Sequence, residues 1–156
     1  MTAQIPLSLQ SDHDAIRATL KRAMREPGAT GEAARAVMQL LDGHMLLEEK
    51  FAFRPLGLLR ALARGETPAE LAEALKLADG LRTEMPGLRA AHEQIASALR
   101  RLSQDAQAEG KSEYVSLAEQ LLRHQRLEEE VIYPAALVVG ELIRRIRKEP
   151  AAPEAA

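Results

Sequence analysis

Hydrophobic residues recur at intervals of three and four along most of the chain, which is the spacing of helices that bury one face. No stretch shows the two-residue alternation of a strand, and no Asn-Gly hairpin turn is present. Proline, glycine and capping residues divide the pattern into four principal helices. We predict them from Ser11 or Asp12 to about Arg25, from Thr30–Glu32 to Pro55, from about Leu88 to Ala108, and from Ser112 to about Arg147 with a break at Pro134.

Shorter helical segments are predicted between the second and third principal helices. Pro55 bends or ends the second helix, because proline lacks the N–H group and clashes with the preceding turn. A short helix then covers residues 56–63. The TPAE stretch at 67–70 fits a capping box that opens another helix. We expect Pro86 and Gly87 to interrupt the chain before the third principal helix.

These elements predict an all-α protein, an up-down-up-down four-helix bundle with an extra short helix between helices two and three. One domain is expected over residues 1–148, a length that is ample for a single core. Residues 149–156 are expected to form a disordered tail, because they contain almost no bulky apolar side chains.

Composition and charge exclude several classes of function. The chain contains no cysteine, which rules out disulfides, thiolate ligands and thiol nucleophiles. The formal net charge of −2 gives no reason to expect nucleic acid or a membrane surface as a partner. Neither a secretory signal nor an apolar run long enough for a membrane span is visible. We therefore expect a cytoplasmic protein.

The four histidines of the chain lie in an internal repeat. His13 and His92 each begin a His-acid-x-Ile segment, and they are 79 positions apart. His44 and His124 each begin a His-x-x-x-Glu-Glu segment, and they are 80 positions apart. The chain is therefore interpreted as two related helix pairs, each with one histidine on its first helix and a His–Glu pair on its second.

Each histidine, and the glutamate four residues after two of them, falls on a stripe that is otherwise hydrophobic. The stripe of the fourth helix includes Leu121 and Val131, and that of the second includes Phe51. Burying so many polar groups without partners is costly, and a pair of metal ions removes that cost. The predicted metal ligands are His13, His44, Glu48, His92, His124 and Glu128.

Imidazole and carboxylate without thiolate suit iron or manganese in a two-metal site with bridging carboxylates. The repeat suggests one metal held by His13 and His44, the other by His92 and His124, and both bridged by Glu48 and Glu128. Glu129 is the alternative to Glu128. Candidates to orient the imidazoles, or alternatively solvated surface charges, are Asp14, Glu49, Glu93 and Glu129. For Tyr133, near the bend at Pro134, contact with the site is one alternative, and a half-buried packing role is the one we expect.

The ordered series His, His-x-x-x-Glu, His, His-x-x-x-Glu resembles the hemerythrin-like (HHE cation-binding) domains from His13 to about Arg145. The resemblance implies a four-helix bundle around a non-haem di-iron centre, with two Fe ions and an oxo or hydroxo bridge. Oxygen-carrying hemerythrins have a His-x-x-x-His pair on the third helix, whereas the positions four residues from His92 in this chain are Leu88 and Ala96. They also have an aspartate at the position of Glu129. The pattern is closer to the iron-centre repair and iron-sensing members.

The resemblance implies a protein that binds, senses or reacts with O2, NO or peroxide. Two six-coordinate irons have about 12 positions, and the predicted ligands with a solvent bridge leave about two of them free. Both metals are therefore expected to meet a small ligand. A catalase- or peroxidase-like redox enzyme and an iron donor for the repair of iron centres remain alternatives, as does a metal-free interaction module. A sensor would need a separate redox or signalling protein partner.

Overall fold

The computed structural model describes residues 3–148, and every regular element within them is helical. In chain order the helices are α1 (Leu7–Ala23), α2 (Ala29–Glu48, continued by Glu49–Phe53 and Arg54–Leu56), α3 (Leu59–Ala63), α4 (Leu71–Ala108) and α5 (Ser112–Leu127, continued by Glu128–Ile132 and Tyr133–Lys148). The predicted tail at 149–156 lies outside the described residues.

Four of these helices pack side by side in a closed ring. Helix α1 contacts α2, α2 contacts α4, α4 contacts α5, and α5 contacts α1 again. Gly28 and Gly110 lie in the short connections after α1 and α4, with φ angles of 80° and 72° that suit glycine. Connections this short make their flanking helices antiparallel. The predicted four-helix bundle is confirmed, and α3 lies between its second and third long helices.

The start of the first helix differs from the prediction. Helix α1 begins at Leu7, directly after Pro6, rather than at Ser11 or Asp12. The additional first turn places Leu9 against the hydrophobic core at that end of the bundle. Leu9 is half-buried there, and removal of its apolar surface from water stabilises the added turn.

The third long helix also begins and continues differently from the prediction. Thr67 does not cap it, since α4 begins at Leu71 and no side chain caps its first turn. The helix then runs for 38 residues through Pro86, where an interruption was expected. Leu81 and Leu88 are buried in one cluster on either side of this exposed proline. Two buried leucines offset the ~3 kcal/mol that an internal proline costs.

Helices α2 and α5 each contain one π-helical turn, at Glu49–Phe53 and Glu128–Ile132. Each turn ends two residues before a proline, Pro55 or Pro134. In an α-helix the proline ring clashes with the carbonyl four residues before it, and that carbonyl lies inside the π turn in both helices. The wider turn therefore lets both helices continue through prolines that were expected to bend, end or break them.

The π turns also change which side of each helix is buried. Val131 was predicted on the buried stripe of the fourth helix but is 53% exposed, whereas Ile132 and Tyr133 are buried. In α2, Phe53 is likewise fully buried, and Phe51 is only half-buried. A π turn contains more residues than an α turn, so the buried positions shift by about one residue along the sequence.

The buried apolar residues form two clusters along the bundle. One contains Leu20, Leu99 and Leu121, and the other contains Phe53 and Tyr133. Each of the four long helices has residues that lie in both clusters or pack against them. Along each helix, the predicted polar site residues lie between residues that pack with one cluster and residues that pack with the other. The fold therefore places these residues in a polar layer between two hydrophobic cores.

Candidate metal centre

All six predicted site residues meet in this layer, and all four long helices contribute. They are His13 from α1, His44 and Glu48 from α2, His92 from α4, and His124 and Glu128 from α5. A histidine and a glutamate four residues apart share one helix face, which explains why each pair points the same way. Five of the six are buried, and the side chain of the sixth, His124, is 11% exposed.

The donor atoms form two groups that share Glu128. The first group contains His44, Glu48, His92 and Glu128, whose donor atoms all lie within 4.8 Å of one another. His44 Nε2 is 3.1 Å from Glu48 Oε1, and His92 Nε2 is 3.3 Å from Glu128 Oε2. The same His92 nitrogen is 3.6 Å from Glu48 Oε1.

The second group contains His13, His124 and Glu128. His124 Nε2 is 2.8 Å from Glu128 Oε1, and His13 Nε2 is 3.5 Å from the same oxygen. His13 Nε2 also lies 3.8 Å from Glu48 Oε2. Each of the two carboxylates therefore has one oxygen towards each group, which is the arrangement that a bridging ligand needs.

This grouping differs from the predicted assignment of ligands to metals. The repeat suggested that each metal takes both histidines of one helix pair. The donor atoms instead group His44 with His92 and His13 with His124, whose ring centroids are 4.6 Å and 5.4 Å apart. The closed ring of helices explains the difference, because α2 also neighbours α4 and α5 also neighbours α1.

Several buried donor atoms have no hydrogen-bond partner among the described residues. They are His13 Nε2, His44 Nδ1, His44 Nε2, His124 Nε2 and Glu128 Oε1. His124 Nε2 and Glu128 Oε1 face each other at 2.8 Å. Such a buried cluster is costly unless a further group satisfies it. The nitrogen and oxygen donors present fit non-haem metal ions.

In each repeat half, one carboxylate from outside the two donor groups contacts the histidine of the first helix. Glu49 Oε1 lies 2.9 Å from His13 Nδ1, and Glu129 Oε1 lies 2.7 Å from His92 Nδ1. Arg17 Nη1 also contacts Glu49 Oε1 at 2.8 Å. When these carboxylates accept the Nδ1 proton, each Nε2 lone pair faces the centre. The geometry supports an orienting role for these two candidates.

The other two candidates for an orienting role lie outside the centre. Asp14 is exposed and accepts a hydrogen bond from Gln10 Nε2 at 3.2 Å. Glu93 is also exposed and lines a surface cleft. Each of these residues directly follows a histidine that faces the centre, and one step along a helix rotates the side chain by about 100° to the outside.

Tyr133 is a residue of the centre, although the sequence favoured half-buried packing over contact with the site. It is fully buried, and its hydroxyl donates a hydrogen bond to Glu48 Oε1. The hydroxyl oxygen also lies 3.4 Å from His92 Nε2, and the two rings stack at 11°. Its position 80 residues after Phe53, in phase with the histidine repeat, is the sequence signal that identifies it.

The charges of the centre shift the pKa values of its members. Burial disfavours the charged form of His92, but the carboxylates of Glu128, Glu48 and Glu129 outweigh burial and raise its pKa to about 10. Burial also opposes the charged form of His13, whose pKa is nevertheless raised, mainly by Glu128. Burial likewise opposes ionisation of Glu128, yet the surrounding histidines hold its pKa well below the usual range. The centre therefore favours bound positive charge.

A surface cleft of about 310 Å³ reaches the outer side of His92. It lies between α4 and α5, and its lining includes Ala96, Gln125 and Glu129. Ala96 lies one helical turn after His92 on the same face of α4. The small side chain therefore contributes to an opening on the His92 side of the centre.

The family model for the hemerythrin HHE cation-binding domain matches residues 8–136 of the chain. The chain belongs to the hemerythrin HHE family. The match confirms the family resemblance and includes both repeat halves of this HHE domain, with all six predicted site residues. Comparison with curated proteins and with solved structures returned no match. Within residues 3–148 of the HHE domain, no helix combines the length and apolar character needed to cross a membrane.

Proposed function

We propose that this HHE domain is a di-iron protein that binds, senses or reacts with O2, NO or peroxide. The proposed ligands are His13, His44, Glu48, His92, His124 and Glu128. The observation that carries the proposal is the pair of donor groups that share Glu128 and bury several unpartnered nitrogen and oxygen atoms. Two adjacent groups of this kind suit two metal ions with carboxylate bridges.

The donor set is compatible with iron, and the family resemblance favours iron among the metals that fit. Imidazole and carboxylate ligands suit iron, manganese and zinc, and no thiolate is available in the chain. Iron in such a centre would bind small molecules and undergo one-electron oxidation and reduction. The protein contributes fixed ligands, carboxylates that offset the metal charge, and two hydrophobic clusters that limit access of water.

Two features of the centre support a small molecule as its binding partner. They are its burial and the number of protein side chains that would coordinate the metals. Five of the six proposed ligands are buried, which excludes a large substrate from direct contact with the donor atoms. Four imidazoles and two bridging carboxylates leave about two positions free on a pair of six-coordinate irons with a solvent bridge. The cleft beside Ala96 offers a route towards one side of the centre.

A catalase- or peroxidase-like redox enzyme is the second candidate function. Tyr133 favours it, because a buried hydroxyl beside Glu48 and His92 can hold or donate a proton next to the metal ligands. An iron donor for the repair of iron centres is a further alternative, which the absence of cysteine disfavours. A redox or signalling protein partner and a cytoplasmic location are additional predictions.

The decisive measurement is the metal content of the purified protein, followed by visible spectra without oxygen and after addition of O2, NO or peroxide. We expect about two irons per chain, as the two-metal arrangement requires, and spectra that change with at least one of these ligands. Less than one iron per chain after iron-replete expression would refute the di-iron centre. A reduced centre that returns O2 unchanged over many cycles would instead indicate a reversible carrier.

A further inference from the structure

One half of the centre contains a hydroxyl group that the other half lacks. Phe53 and Tyr133 are 80 residues apart, so the histidine repeat makes them equivalent. Each ring packs on the first-helix histidine of its own half, with centroid distances of 4.7 Å for His13–Phe53 and 5.9 Å for His92–Tyr133. Because a phenylalanine fills this place in one half, ring packing by itself does not require the hydroxyl.

The hydroxyl of Tyr133 acts on one donor group. It donates to Glu48 Oε1, the oxygen that faces His44 and His92. The equivalent oxygen of the other group is Glu128 Oε1, which faces His13 and His124. That oxygen has no hydrogen-bond partner among the described residues. Glu48 Oε1 therefore accepts a hydrogen bond from a tyrosine hydroxyl and Glu128 Oε1 does not, although the two glutamates lie in equivalent helices and sequence motifs.

We infer that Tyr133 is a positioning residue that makes the two metal subsites unequal. Its hydrogen bond restricts the rotation of the Glu48 carboxylate and keeps Oε1 directed towards the subsite of His44 and His92. Hydrogen bonds of this kind to a ligating carboxylate commonly change metal affinity by about 10–100-fold. The subsite of His13 and His124 has no such support on Glu128. The inference rests on the proposed function in requiring metal at both subsites.

The test compares Tyr133→Phe with Tyr114→Phe in the full-length, metal-free protein. The chain has only two tyrosines, and both hydroxyls donate to a glutamate. Tyr114 donates to Glu26, which is remote in the fold from the centre, so its substitution is a matched control. Co²⁺ is titrated into each protein, and calorimetry and visible absorption together resolve the stepwise affinities.

We expect two steps of different affinity in the wild type and in Tyr114→Phe. In Tyr133→Phe, one step weakens by about 10–100-fold while the other is unchanged. A purely structural role would lower the melting temperature without changing one affinity selectively. Three results would each overturn the inference. The two Co²⁺ affinities of Tyr133→Phe could equal those of the wild type, both could weaken equally, or the wild type could bind both ions with the same affinity.

A second variant keeps the test decisive if Tyr133→Phe does not fold. Phe53→Tyr adds a hydroxyl at the equivalent position beside His13. This variant should narrow the difference in affinity between the two Co²⁺-binding steps. An unchanged difference in this variant would count against the role of the hydroxyl. Iron loading separates the di-iron function from the role of Tyr133. Two Co²⁺-binding steps of unequal affinity without iron uptake would refute only the di-iron function. Normal iron loading with unchanged Co²⁺ steps in both variants would refute only the role of Tyr133.

Discussion

At the scale of single residues, the consequences of a substitution depend on which donor atoms it removes. Glu128 directs one oxygen to each donor group, whereas His44 belongs to only one group. Both side chains are buried among other polar groups. Loss of Glu128 therefore affects both proposed metals, and loss of His44 affects one directly.

We predict that Glu128→Ala loses most of its bound iron and that His44→Ala falls towards one iron per chain, measured by elemental analysis after identical iron loading. Both variants should also melt at lower temperature than the wild type, because metal binding contributes to the folding free energy. Glu130→Ala is the matched control, since Glu130 is an exposed carboxylate in the same π turn. Wild-type iron content in both site variants would contradict the ligand assignment.

At the scale of the helices, continuous packing decides where an element ends. Helix α4 continues through Pro86 and Gly87, although this pair of residues is a strong local signal for a break. Gly87 lies inside that helix, and a Cβ atom added there would meet open space, so an alanine fits. Gly140 in α5 is different, because a Cβ atom there would lie 2.7 Å from Ala78 Cβ.

We predict that Gly87→Ala raises the free energy of unfolding by about 0.5–1 kcal/mol, because alanine loses less backbone entropy than glycine in a helix. Gly140→Ala should instead lower it, since overpacking costs about 1–3 kcal/mol and exceeds that gain. Urea unfolding of both variants measures the two effects. If Gly87→Ala is destabilising, the continuous helix through Pro86 is contradicted. A stabilising Gly140→Ala would show that α4 and α5 can separate at Ala78 without cost.

At the scale of the whole molecule, one carboxylate joins the two repeat halves at the end of the bundle that carries the short connections. Glu109, which follows α4, accepts hydrogen bonds from the backbone N–H groups of Ala29 and Thr30 at the start of α2. It also accepts from Thr30 Oγ1 and from Lys111 Nζ. The hydrogen bonds from Thr30, Lys111 and Ala29 lower the pKa of Glu109 to about 2.

We predict that this contact makes stability depend on pH between about 4.5 and 2. The folded-state pKa of Glu109 is below the ordinary value of 4.5, so its contribution is fully present above pH 4.5 and declines as pH falls towards 2. Urea unfolding should therefore show a deficit for Glu109→Gln at pH 7 that shrinks over this range. Glu119→Gln, at an exposed position, is the control. A deficit that is the same at pH 7 and pH 2.5 would rule out ionisation of Glu109 as its cause.

The metal centre is predicted to stabilise the whole bundle, because its proposed ligands come from all four long helices and lie between the two hydrophobic clusters. Binding to the folded state alone adds to its stability by mass action. The melting temperature should therefore rise on metal loading and fall again after chelation. Equal melting temperatures for the loaded and the metal-free protein would indicate that metal does not bind preferentially to the folded chain.

Most of the bundle and all six central side chains could be predicted from sequence, because helical periodicity and a fixed repeat both appear as regular spacings of residue types along the chain. The exceptions have physical causes. Pro86 carries a strong local signal for a break that packing of Leu81 and Leu88 overrides. Val131 is misplaced because the regular period of 3.6 residues does not include a π turn.

The sequence by itself determined the four-helix bundle, the family and which polar side chains would be buried together. Only the tertiary structure decided how their atoms group, since α2 neighbours α4 as well as α1, and α5 neighbours both α4 and α1. It also decided that Glu49 and Glu129 hold His13 and His92, and that Tyr133 reaches Glu48. Distances between side chains on different helices depend on packing and on the π turns, and a one-dimensional repeat does not contain them.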